Sequence, residues 1–112
     1  MNQNKQSNLE VLLMRPKEQH DELLSNLSRF FKNQSSIRKA YFAVAQFSDS
    51  LDSMDYLIAI DVKANTASKI KETTKYLDKI NIDTGGRKVA VVDVNDAPYN
   101  SYFAKVSPFY KR

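Results

Sequence analysis

The apolar positions along the chain change period repeatedly, and each change marks an element. Leu9 to Met14 reads Leu-Glu-Val-Leu-Leu-Met, apolar on both faces of an extended segment. That pattern predicts a first strand in a central place in the sheet. Arg15-Pro16 breaks it, because proline cannot continue a strand ladder. From Lys17 to Asn33 the period becomes helical. Leu23, Leu24, Leu27, Phe30 and Phe31 fall on one stripe, with Glu18, Asp21 and Glu22 in the first turns and Lys32 in the last. Ile37 to Phe47 returns to alternation. Ala40, Phe42 and Val44 point one way and Tyr41, Ala43, Ala45 and Phe47 the other.

The polar run Ser48 to Asp55 predicts a loop. Tyr56 to Lys63 predicts a third strand, with Tyr56, Ile58, Ile60 and Val62 on one face and Leu57, Ala59, Asp61 and Lys63 on the other. The short polar spacer favours a hairpin between the second and third strands. A second helix starts at Asn65 or Thr66, carries Ala67, Ile70, Thr74, Leu77 and Ile80 inward, and ends near Asn81. Asp83 to Arg87 is a turn. Lys88 to Val94 is a fourth strand, stopped by Asn95 to Pro98.

The element order is strand, helix, strand, strand, helix, strand. It predicts an α+β fold with a four-stranded antiparallel sheet and two helices on one face, the split β-α-β, ferredoxin-like order. Strands one and three are then central. Another α+β meander of the same elements is the alternative. Residues 1–8 are polar and predict a flexible leader, leaving 9–112 as a single domain.

The tail breaks the pattern. Five of the last 14 residues are aromatic: Tyr99, Tyr102, Phe103, Phe109 and Tyr110. Each exposed ring forgoes roughly 1.5–3 kcal/mol of burial, so this tail is expected to dock. The sheet face opposite the helices, with Tyr41, Ala43, Ala45, Phe47, Leu57 and Ala59, is too apolar for water and offers the place. Either this tail or a second copy of the chain would cover it.

Composition narrows the chemistry. With 112 residues the chain fits one domain. Cys is 0 and His is 1, which excludes disulfides, thiolate metal sites and His-rich centres. The 2 Gly are adjacent, Gly85 and Gly86, and make no glycine-rich phosphate loop. No cofactor is expected. No hydrophobic leader or long apolar run is present, which predicts a cytoplasmic protein without a membrane span. The net charge is +4, with Lys69, Lys71, Lys75 and Lys79 reading as the solvated face of a helix. Asp49, Asp52 and Asp55 lack the turn glycine and late Glu of a calcium loop, so a polar hairpin is the simpler reading. His20, Asp21, Glu22, Asp61 and Asp93 are the groups available for acid–base work. His20 and Asp21 sit on a first helical turn, where water is the expected neighbour.

Three segments then carry a resemblance. They are Arg15-Pro16 followed by Glu22-Leu-Leu-Ser-Asn-Leu-Ser-Arg-Phe-Phe31; Ile37-Arg-Lys-Ala-Tyr-Phe-Ala43 with Asp55-Tyr-Leu-Ile-Ala-Ile-Asp61; and Ser107-Pro-Phe-Tyr-Lys-Arg112. In this order and spacing, over residues 9–112, the chain resembles the C-terminal domain of the SseB family, the enhanced-serine-sensitivity protein B. Longer family members carry a preceding domain, and this chain is expected to begin directly at the C-terminal one. The resemblance implies no catalytic residue and no cofactor. Ala40, Tyr41, Tyr56, Leu57, Pro108, Phe109 and Tyr110 match its motifs and read as structural first.

The functional expectation is a non-catalytic protein-interaction module, in the form of an adaptor or a toxin-immunity-type protein. It would bind a protein partner or itself through the apolar sheet face and the tail, with Tyr41, Phe47, Tyr56, Tyr102, Phe103, Phe109 and Tyr110 as the contact residues. The alternative is a nucleic-acid-binding or small-ligand-binding regulatory domain, in which Tyr41 and Phe47 would stack bases. The third strand, Tyr-Leu-Ile-Ala-Ile-Asp-Val-Lys, lacks the basic-aromatic run such a domain carries, so nucleic acid is the weaker partner.

Overall fold

The structure is a computed structural model that describes residues 11–16, 20–47, 55–80, 82, 84 and 86–112. The predicted leader, and Asp49 and Asp52 of the polar loop, lie outside the described residues. The elements are β1 (Val11–Met14), α1 (Asp21–Lys32), β2 (Ile37–Phe47), β3 (Asp55–Val62), α2 (Thr66–Lys79), β4 (Val89–Asp93), α3 (Tyr99–Phe103) and β5 (Tyr110–Lys111).

The sheet runs β1-β2-β3-β4, with β5 added to β2. β2 and β3 pair antiparallel, as the expected hairpin requires, with Ala40 opposite Ile60 and Phe42 opposite Ile58. Two expectations are corrected. β3 and β4 pair directly and in parallel, Ile58 opposite Val91, so the sheet is mixed and not ferredoxin-like. A split unit needs another strand between them. Here α2 carries the chain back to lay β4 directly beside β3, an unsplit crossover. The central strands are β2 and β3, and β1 lies at the edge, paired only through Met14–Val44 to Val11–Phe47. Apolarity on both faces of β1 does not place it centrally, because its Leu12 stays 57% exposed.

Both long helices cover one sheet face, as the stripes require. Leu23, Leu27 and Phe31 of α1 pack on Ile37, Ala40, Tyr56, Ile58, Ile60 and Val62, with Ile70, Tyr76 and Leu77 of α2 beside them. The helices also hold each other. Phe30 and Tyr76 stack at 4.4 Å, and the Tyr76 hydroxyl donates to the Asn26 carbonyl at 3.1 Å. Thr73, a polar side chain fully buried on α2, satisfies its hydroxyl on the Lys69 carbonyl at 2.8 Å. Asn65 stands at the α2 N-cap as expected, in the left-handed region at φ 61°, which Asn tolerates, but its side chain makes no capping bond.

The tail closes the other face and then crosses the edge. Phe103, 2% exposed, sits on Ala43, Ala45, Leu57 and Ala59, flanked by Tyr99, Tyr102 and Val106. Beyond Val106 the chain passes around β2. The Phe109 amide donates to the Ala40 carbonyl at 2.9 Å and the Arg112 amide to the Arg38 carbonyl at 2.8 Å. β5 therefore occupies the part of the β2 edge that β1 leaves free. Tyr110 enters the helix-side core, and its hydroxyl donates to the Phe31 carbonyl at 3.2 Å. The Arg112 guanidinium donates to the carbonyls of Phe31 and Lys32 at 3.4 and 3.5 Å. Its cation thus meets carbonyls of the last turn, at the negative end of α1.

Candidate functional site

The seven residues expected to meet a partner do not form one surface. Tyr56, Phe109 and Tyr110 belong to the helix side, and Tyr41, Tyr102 and Phe103 to the opposite side, where α3 and the residues up to Val106 lie across the sheet as a strap. Tyr56, Phe103 and Tyr110 are buried, while Tyr41, Tyr102 and Phe109 are half-buried. Phe47 contributes a backbone pair to Val11, and its side chain lies outside the described residues. Tyr41 packs its ring on Phe103 at 5.3 Å, and Phe103 meets Tyr102 edge-on at 5.0 Å. Phe31 draws in both Phe109 and Tyr110, at 6.3 and 5.4 Å. These contacts are internal, so the terminal Pro-Phe-Tyr works as a latch. The apolar sheet face, expected to be covered by the tail or by a second copy of the chain, is closed by the chain's own α3.

The titratable groups are dispersed. The His20 ring packs on Phe42 at 5.3 Å and on Tyr56 at 4.7 Å, with the Arg87 guanidinium 5.7 Å from the centre of the Tyr56 ring. Asp21 and Glu22 are exposed beside it, and together with Thr84 they edge a recess of about 200 Å³. Asp61 is paired with Arg38 at 3.0 Å. The Asp93 carboxylate accepts from the Asn95 amide at 2.9 Å. Asp61 and Asp93 therefore have local duties and do not converge on His20. An adjacent cavity of about 380 Å³ runs between Leu23, Leu77, Ile82 and Val89, with Arg87 and Lys88 at its rim. Among the described residues no cluster of three or more His, Cys, Asp or Glu is placed to hold a metal ion, and no helix is long and apolar enough to cross a membrane.

Two tyrosines on the strap side hold their protons more tightly than usual. Burial raises the Tyr41 hydroxyl, and the Asp61 carboxylate raises it further. Burial raises Tyr99, with Asp96 adding to it.

A further apolar feature, which the sequence did not single out, lies along β1. β1 has β2 on one side, and its other side meets no described strand. Leu12 is the large hydrophobic residue the fold leaves exposed among the described residues. On the opposite flank of the strand, Val11 and Leu13 form one wall of a groove of about 420 Å³. Tyr102 and Val106 form the other wall, and Arg15 and Lys105 line it as well. The Tyr102 hydroxyl is buried without a hydrogen-bond partner among the described residues. The signal available in the sequence was the pair Leu12-Leu13. On a strand they point to opposite faces, and an edge position covers only one well.

Against this geometry, the family model described as the SseB protein C-terminal domain matches residues 5–112, essentially the whole chain. Comparison with curated proteins and with solved structures finds no match in either. The chain belongs to the SseB C-terminal domain family.

Proposed function

We propose that this member of the SseB C-terminal family is a non-catalytic interaction domain that works by engaging a protein partner. The observation that carries this reading is the β1 edge, where Leu12 is 57% exposed on a strand whose outer side meets no described strand. Exposed strand edges are sites that folded proteins ordinarily blunt, and one that meets no described strand beside an exposed leucine supports docking there. The partner then meets β1 and not the aromatic tail. The tail's rings are spent on internal packing, and Tyr41, which a base-stacking face would need, lies against Phe103. Adaptor and toxin-immunity roles are both forms of this proposal, and the genes beside the coding sequence would discriminate between them.

The test is site-specific photocrosslinking in the native cell. A photoreactive residue replaces Leu12 in one version of the chain and Lys75, on the exposed face of α2, in another. The expected result is a discrete protein adduct from position 12 that is weak or missing from position 75. Discrete adducts from neither position would overturn the reading.

A further inference from the structure

We propose that the outer side of β1 accepts an extended, acidic segment of the partner protein as an added strand. Its apolar side chains would fill the groove against α3, and a carboxylate would meet Arg15 and Lys105. This deepens the proposed function and rests on it.

The backbone supplies the first reason. Half of the amides and carbonyls of an edge strand point outward and need partners, and an added strand supplies all of them at once. β1 pairs with β2 through Val11 to Met14, and no described strand lies beyond it. The side chains supply the second. An added strand alternates its own side chains between the two faces. One set would lie beside exposed Leu12, and the other would enter the groove walled by Val11, Leu13, Tyr102 and Val106. A groove of about 420 Å³ holds a few aliphatic side chains.

Charge chooses the occupant. Arg15 and Lys105 are both exposed and line this groove, and neither is engaged in an ion pair among the described residues. None of the described residues that line it is acidic. Two unneutralised cations beside apolar walls complement a segment of alternating aliphatic residues that carries Asp, Glu or a terminal carboxylate. A second copy paired β1 to β1 would bring its own Arg15 and Lys105 to the same groove, and like charges repel there.

The experiment selects random octapeptides displayed on phage against the full chain. Winning peptides are then synthesised, titrated by fluorescence polarisation and mapped by amide chemical shifts. The expected winners alternate aliphatic residues and carry at least one carboxylate, and they shift amides in Val11–Arg15 and Tyr102–Val106. Arg15→Glu with Lys105→Glu should weaken them by about tenfold or more, and should raise affinity for the same peptides with Lys in place of Asp or Glu. Both substituted sites are exposed, and an unchanged thermal melt would confirm that the double variant is folded. N-methylation of alternate peptide amides should abolish binding in one register only.

Winners without carboxylates, shifts confined to another surface, or indifference to the double charge reversal would overturn the proposal. So would a solution mass that doubles with Leu12 at the contact, which assigns the edge to a second copy. Oleate binding in the groove with no peptide selected would assign it to an acyl chain and overturn it equally. If no peptide is selected while the crosslinking from α2 captures a discrete partner, this inference fails and the broader reading stands.

Discussion

The two faces of the sheet are closed by different means. On the helix side, Phe42, Val44, Ile58, Ile60 and Val62 present bulky side chains to helices of 12 and 14 residues. On the strap side, Ala43, Ala45, Ala59 and Ala90 leave a shallow surface, and a helix of only 5 residues suffices to cover it. Small side chains let Phe103 and its neighbours approach the sheet closely, so one ring fills what several leucines fill opposite. The difference teaches where each face's stability resides. The helix side spreads it over many contacts, and the strap side concentrates it in Phe103 and in the latch beyond.

The largest effect should follow from removing the strap. Ending the chain after Pro98 re-exposes the alanine face and withdraws Phe103 and Tyr110, each worth roughly 1.5–3 kcal/mol of burial. With the lost β5 pairing, the total approaches the roughly 5–15 kcal/mol by which a domain is stable at all. The truncated chain should therefore be unfolded or should bind a hydrophobic dye, as circular dichroism and dye fluorescence will show. A truncated chain that melts like the parent would break the comparison. Next in size is Phe103→Ala, expected to cost about 3–5 kcal/mol in urea unfolding because the ring is fully packed. Ala59→Leu on the same face should cost about 1–3 kcal/mol by overpacking. Equal tolerance of Ala59→Leu and of an enlarged residue on the helix side would show that close approach is not what closes the strap.

This asymmetry also explains how much of the fold was legible. The alternation in β2 and β3 assigned Ala40, Phe42 and Val44 to one face and Tyr41, Ala43 and Ala45 to the other, as found. The stripe of α1 was equally plain, since Leu23, Leu27 and Phe31 are all buried. Side-chain periodicity is local, and it reads faces well. Strand order is a pairing choice among distant segments, and it was misread. Nothing in Leu9–Met14 or Lys88–Val94 tells a split crossover from a direct one, because valine-rich strands suit either neighbour. The candidate site suffered for the same reason. Aromatic density in the tail looked like contact surface, while the open feature came from β1 being at an edge, which only the strand order reveals.

The latch tests a finer point, whether the crossing of the edge adds to the strap or merely follows it. Tyr110→Phe removes the hydroxyl that donates to the Phe31 carbonyl while keeping the ring, and should cost about 1 kcal/mol. Arg112→Ala removes the guanidinium from the end of α1 and should cost about 0.3–1 kcal/mol, shrinking as salt rises. Amide exchange should rise at Phe31 to Gln34 in both variants and remain unchanged in α3. Faster exchange in α3 as well would mean that strap and latch open as one unit.

The smallest effect separates the faces by pH. Tyr41 and Tyr99, both on the strap side, are held protonated above the ordinary value of 10.0, first by burial and then by Asp61 and Asp96 respectively. A folded pKa above the unfolded one means that the folded chain binds protons more tightly in the interval between them. The stability this contributes is complete below pH 10.0 and is lost as pH rises from there through the folded pKa. Both rings keep partial access to water, so the loss is modest. Urea unfolding at about pH 9 and about pH 11 should show the parent losing more stability than the variant Tyr41→Phe with Tyr99→Phe, in which the ionising groups are gone. Amide exchange across the same interval should quicken in α3 before it does in α1. Equal slopes for parent and variant would show that ionisation of these two rings does not loosen the strap, and would leave Phe103 packing as what holds that face closed.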